Sequence, residues 1–308
     1  MESVSEIGEP EKEHRDRSAG GRGIYILPLL LSTLIAGTTP IAAKYATAEI
    51  SPLSLGFIRF GLAALLLLGV LLIRGERFKF TGSDRWRILW LGVLVVPINQ
   101  PLFLIGTHKA SAGHSGLIYA LTPVFVLLLA AMVGMESITP KKIIGVILSF
   151  GGIAAIIVGA GIKFSPDFLL GDAMLLGAVF SWSLYVVGSK PLIARHGPLK
   201  TLAAAFLIGV ILYSPIFLWD MHNVKWSAVS LDGWLGYLYL SLVTSFLGYF
   251  LWNWLLSRID ASKVSGINNL APIVTLLLGV LLLDEPLTLL LVAGAVTTIL
   301  GVAITQRG

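Results

Sequence analysis

Residues 112–139 read AGHSGLIYALTPVFVLLLAAMVGMESIT, and residues 261–288 read ASKVSGINNLAPIVTLLLGVLLLDEPLT. At this fixed offset of 149, Ile118 pairs with Ile267, Leu121 with Leu270, Pro123 with Pro272, Glu136 with Glu285 and Thr139 with Thr288. The match runs on into the next segments, where Gly145, Ser149 and Gly152 fall on Gly294, Thr298 and Gly301. Small residues spaced four and three apart let two membrane helices approach closely. Nearer the front of each half, at an offset of 146, Lys44 matches Lys190, Pro52 matches Pro198 and Phe60 matches Phe206. The chain therefore reads as two copies of one unit.

Each copy is built of apolar runs. A membrane helix needs about 20 apolar residues to cross roughly 30 Å of hydrocarbon. Ten such stretches are expected, near residues 24–45, 52–73, 88–107, 112–133, 143–161, 168–188, 200–219, 234–256, 263–283 and 287–305. Over the 308 residues, 56% are hydrophobic and 13% charged, and mean hydropathy is +0.87, whereas a soluble domain has about a quarter of its residues charged. Continuous apolar runs exclude a transmembrane β-barrel, whose strands alternate. The 33 glycines and 14 prolines suit membrane helices, and the lack of cysteine excludes disulfides, thiolate metal sites and a cysteine nucleophile. The fold class expected is thus an all-α polytopic membrane protein, ten transmembrane helices in two five-helix repeats.

Five is odd, so the second repeat must insert upside down relative to the first. The expected organisation is a tail at 1–23, one repeat at 24–161 and a second at 168–305. Residues 1–23 carry both signs of charge, including Glu9, Glu11, Lys12, Glu13, Arg15, Asp16 and Arg17, and are expected to form a disordered cytoplasmic tail. A cleaved signal peptide fits less well, because the first apolar stretch is too long and lacks a clean small-residue cleavage site. The net charge of +5 is distributed as topology demands rather than as a nucleic-acid patch. Lys and Arg crowd one side of the membrane, with Arg74, Arg77, Lys79, Arg85 and Arg87 in a single cluster, while the other side holds Lys44, Lys109, Lys163 and Lys225. By the positive-inside rule both termini are cytoplasmic. Inverted repeats are characteristic of transporters, with the substrate site near the midplane between the halves. A duplication kept only for stability is the alternative.

The run SAGHSGLIYALTPVF, the GMESIT that ends span four, the DEPLT that ends span nine, Lys44 at the end of span one and the IRF around Arg59 in span two resemble the EamA branch of the drug/metabolite transporter superfamily. The resemblance covers residues 24–305. It implies a ten-helix inverted-repeat fold, a bacterial inner-membrane location and export of amino acids, related metabolites or drugs by alternating access. One departure stands out, since the Trp-Gly frequent in the family's first span is absent and Ala36 occupies the position matching Trp182.

Arg59 lies too deep in span two for easy snorkelling; it either meets an anionic substrate group or a gating carboxylate, or is a structural charge bonded to backbone carbonyls. His114 opens span four and its repeat partner Lys263 opens span nine, at opposite membrane faces; His114 either titrates with a proton gradient or contacts headgroups. Glu136 and Glu285 either fix helix ends or shuttle protons. Lys44 and Lys190 complete the candidate gating or structural charges. Asn99 and Gln100 sit between Pro97 and Pro101, and Asn268 and Asn269 precede Pro272, where interrupted hydrogen-bond ladders are tolerated only against protein or a cavity. Ser241, Ser245, Tyr249, Trp252 and Asn253 recur at three- and four-residue spacing, and Ser181, Trp182 and Tyr185 add a second polar-aromatic face. With Tyr119 and the helix-breaking Pro123 and Pro272, these residues either line a small-molecule site or serve interhelical packing.

No HExxH, GxSxG, phosphate loop or ATPase motif is present, so no enzyme activity, cofactor or metal is expected. The expected partners are a small-molecule substrate and the lipid bilayer, without nucleic acid, for a monomer or weak homodimer. A membrane sensor or assembly subunit without flux is the alternative function.

Overall fold

The computed structural model describes residues 22–135, 137–159, 166–259, 261, 264, 271–284 and 287–307, and among them the chain is all helical. Glu136, Lys263, Asn268, Asn269 and Glu285, together with tail residues 1–21, lie outside the described residues. In chain order the helices are α1 Arg22–Thr47, α2 Pro52–Ile73, α3 Ser83–Lys109, α4 in two pieces Ala112–Tyr119 and Thr122–Met132, α5 Pro140–Gly159, α6 Pro166–His196, α7 Pro198–Asp220, α8 Leu231–Leu256, α9 Ala271–Leu283 and α10 Leu289–Arg307. Seven of them are long and apolar enough to cross a membrane, and α9 and α10 supply shorter apolar helices.

Several helices start or stop where backbone chemistry directs. Proline occupies the first turn of α2 and α7, where its missing N–H costs no helical bond. Gly197, just before α7, has φ +82, a left-handed conformation that glycine adopts without a Cβ clash. The N-terminus of α2 is capped from a distance, because Asp220 at the end of α7 accepts from the Ser54 backbone N–H at 3.0 Å and its hydroxyl at 2.7 Å. Helices α3 and α6 run past the expected spans at 88–107 and 168–188. Their charged ends pair outside the apolar stretch: Arg195 Nη1 lies 2.6 Å from Asp84 Oδ1, and His196 Nε2 lies 2.9 Å from Asp84 Oδ2.

Proline widens α3 instead of breaking it. Residues Leu94–Ile98, with Pro97 inside, form a π turn between α-helical segments. Side chains reach two of its carbonyls: Gln100 Nε2 donates to Val95 O at 3.2 Å, and Ser181 Oγ donates to Leu94 O at 2.8 Å. Helix α8 contains a longer π segment, Tyr239–Gly248, without any proline. Helix α4 breaks at residues 120–121, just before Pro123.

Two buried clusters flank the centre. One gathers Phe60, Leu67, Val95, Tyr185, Leu202, Phe206 and Leu255, and the other Ile50, Leu55, Leu104, Leu117, Leu175 and Leu240. Helices α5 and α10 pack on each other through the small-residue stripes. A Cβ on Gly152 would stand 2.4 Å from Thr298 Oγ1, and one on Gly301 would stand 2.5 Å from the Ser149 backbone nitrogen. Large apolar side chains such as Ile73, Trp219, Leu281 and Leu289 are more than two-thirds exposed, which suits a lipid surface and would be a liability in water.

Candidate functional site

Between the clusters lies a cavity of about 150 Å³. Helix α1 lines it with Ser32, Ile35, Ala36, Thr39 and Pro40, and Arg59 comes from α2. Asn99 and Phe103 come from α3, Tyr119, Thr122 and Pro123 from α4, and Trp182 from α6. Helix α8 adds Thr244, Gly248, Tyr249 and Trp252, and α9 adds Pro272 and Thr275. Neither α5, α7 nor α10 contributes a lining residue among those described.

The aromatic wall is internally braced. The Trp182 ring is T-shaped to Tyr249 at 5.1 Å and tilted on Trp252 at 5.6 Å, and Tyr249 meets the rings of Phe60 at 5.4 Å and Phe206 at 5.2 Å. Behind it, Tyr185 stacks on Trp182 at 5.2 Å and donates its hydroxyl to Asn253 Oδ1 at 3.1 Å. Asn253 Nδ2 in turn donates to the Tyr249 carbonyl at 2.9 Å. Such a network holds rings at fixed angles, which preorganises a flat apolar surface for a ligand.

The polar lining is mostly satisfied. Asn99 Nδ2 donates to Ala178 O at 2.7 Å and its Oδ1 accepts from Gln100 Nε2 at 2.9 Å. Thr39 Oγ1 donates to Ile35 O at 2.6 Å and lies 3.2 Å from Thr244 Oγ1. Thr275 Oγ1 donates to Gly37 O at 2.7 Å, tying α9 to α1. Arg59 is different. It is 1% exposed, and Nε donates to Ser245 Oγ at 2.9 Å, with Cζ 5.1 Å from the Phe60 ring centroid.

The structure thus brings Asn99, Tyr119, Trp182, Tyr249, Pro123, Pro272 and Arg59 of the sequence candidates to one cavity. Gln100, Tyr185 and Asn253 are buried in the wall behind it. His114, 2% exposed, pairs through Nδ1 with Asp172 at 3.4 Å and stands off the cavity. Lys44 caps the C-terminal end of α3 through the carbonyls of His108, at 3.1 Å, and Ala110. Lys190 is partly buried near the C-terminal end of α6. Sequence inspection missed the α1 wall, although Ser32, Ala36, Thr39 and Pro40 fall at the three- and four-residue spacing of one helix face.

A family model for the EamA-like transporter family matches residues 23–158 and residues 169–307. An uncharacterized transporter of Archaeoglobus fulgidus is 30% identical over 281 residues, which cover 91% of this chain and 97% of that protein. A probable amino-acid metabolite efflux pump of Salmonella typhimurium is 28% identical over 91% of this chain and 93% of its own length. A solved crystal structure with 20% identity shares the fold, at a TM-score of 0.68 over 92% of this chain and 96% of its own. With both halves matched and the apolar helices surrounding one central cavity, the chain is a multi-pass membrane transporter of small molecules and belongs to the EamA-like transporter family.

Proposed function

We propose that the protein is a secondary transporter that exports amino acids or related small organic metabolites by alternating access. In this reading residues 24–161 and 168–305 are inverted five-helix repeats in a bacterial inner membrane, with both termini cytoplasmic. The observation that carries the proposal is the buried cavity between the two clusters, walled by aromatic rings and helices from both halves. Its lining by Arg59, Asn99, Trp182 and Tyr249, each well inside its helix, suits a site reached from each side in turn.

The repeat-related contacts support the inverted arrangement. Gly152 approaches the Gly294 carbonyl, where a Cβ would stand at 2.7 Å, and Gly301 approaches the Gly145 carbonyl at the same 2.7 Å. Each contact is the other's counterpart at offset 149, as a two-fold axis through the α5–α10 crossing would produce. Pro123 and Pro272, also matched at that offset, meet at the one cavity. The amino-acid assignment leans on the name of the Salmonella relative and on a cavity small enough for a single metabolite.

The test is counterflow in proteoliposomes against amino acids, nucleosides and cationic drugs, with and without a pH gradient. Saturable exchange of amino acids supports the proposal. Exchange confined to another class overturns the substrate, and silence from folded, inserted protein overturns transport in favour of a sensor or assembly subunit.

A further inference from the structure

Among the described residues, two hydrogen-bond donors at the cavity have no acceptor. Arg59 Nη1 is buried and unpartnered, while Nε of the same guanidinium is held by Ser245. Trp252, 5% exposed and also lining the cavity, leaves its indole Nε1–H without a partner. No Asp or Glu lines the cavity among the described residues. A guanidinium stays protonated in a protein, and a buried charge with neither counter-ion nor full hydrogen bonding is costly. The bond to Ser245 Oγ fixes the fork without neutralising it, and the buried side chain does not snorkel to a headgroup.

We infer that Arg59 is the subsite for a carboxylate on the transported molecule, accepting from Nη1 and within the same cavity as the Trp252 indole N–H. The inference rests on the transporter proposal and names the chemical class of its substrate. Charge-assisted hydrogen bonds between arginine and carboxylate are among the strongest available to a side chain. The remainder of the molecule would lie on the rings of Trp182 and Tyr249, which offer an apolar surface. Because no carboxylate among the described residues faces the cavity, an α-ammonium has no described counter-charge there. The site therefore reads the acid group and is indifferent to the amine.

The test is a titration of the full-length protein in nanodiscs, read by tryptophan fluorescence, with L-phenylalanine, 3-phenylpropionate, L-phenylalaninamide and phenethylamine, and with L-leucine and L-leucinamide as the aliphatic pair. Acids of at least one pair bind saturably, with amide and amine at least about tenfold weaker. Arg59→Met abolishes that discrimination while melting no lower than the parent, since it removes an uncompensated buried charge. Arg59→Lys, which keeps the charge without the fork, weakens acid binding and serves as the second variant should the methionine protein fail to accumulate. Amides bound as tightly as acids, acid affinity retained in either variant, or no binding of any acid overturns the inference. Acid binding without counterflow preserves the carboxylate subsite and overturns transport. Counterflow indifferent to the carboxylate does the reverse.

Discussion

Asp220, at the last turn of α7, holds the first turn of α2 by accepting from both the backbone N–H and the hydroxyl of Ser54, at 3.0 and 2.7 Å. Its other oxygen accepts from Asn223 Nδ2 at 3.1 Å. A negative side chain at a helix N-terminus satisfies an orphan N–H and complements the helix dipole. Asp220→Ala is expected to destabilise the protein by about 1–2 kcal/mol, measured as a lower midpoint in detergent denaturation. Counterflow per folded molecule should stay near the parent value, since Asp220 does not line the cavity.

Glu49 joins the α1–α2 connection to the start of α8 by accepting from the Ser230 hydroxyl and backbone N–H. These two bonds, the side-chain bond foremost, hold its carboxyl below the usual carboxylate range. A carboxyl whose folded value is depressed contributes stability that is full above its unfolded value, near 4.3, and is lost as pH falls through the folded value. Melting temperature should therefore drop more for the parent than for Glu49→Gln between pH 6 and pH 3. Parallel curves would show that the contact contributes nothing.

The α5–α10 crossing leaves no room for a side chain at Gly152 or Gly301. Thr298 presents backbone nitrogen as well as its hydroxyl to Gly152, at 2.6 and 2.4 Å from a Cβ placed there. Gly152→Val is expected to cost about 1–3 kcal/mol through overpacking, read as loss of folded protein in a denaturant titration. Gly61→Ala is the control, since nothing lies within 4 Å of its Cβ.

Ala36 and Trp182 occupy matching positions of the sequence repeat and both line the cavity. Ala36→Trp would fill space that the α1 wall leaves open. The expected outcome is at least about a tenfold loss of substrate affinity, equivalent to roughly 1.4 kcal/mol, in protein that elutes and melts like the parent. Unchanged flux from that variant would place the substrate elsewhere.

What sequence made legible follows from what sequence repeats. The apolar runs and the 149-residue offset were visible because two copies reinforce each other, and Trp182, Tyr249, Tyr119 and Asn99 stood out as polar or aromatic groups in apolar context. The α1 wall did not stand out, because Thr39 bonds its own helix at Ile35 and resembles any hydroxyl residue in a membrane span. Gln100 stood beside Asn99 as a candidate for the lining, yet its amide donates to the carbonyl of Val95 and to Asn99. His114 found Asp172, 58 residues away, which no spacing rule links to it. The π segment of α8 carries no proline or other mark that would have betrayed it.

The mismatch between Ala36 and Trp182 has a further effect on how a solute sits. In a cavity with two equivalent halves, an asymmetric molecule would fit head-first or tail-first with equal ease. Here one half presents a methyl group and the other an indole, and Arg59 faces the cavity while Ala205, its counterpart at the 146 offset, stays buried in the core. The two poses are no longer degenerate. A solute held here has one preferred orientation between these walls, and mirror-image solutes are distinguished by the walls they meet.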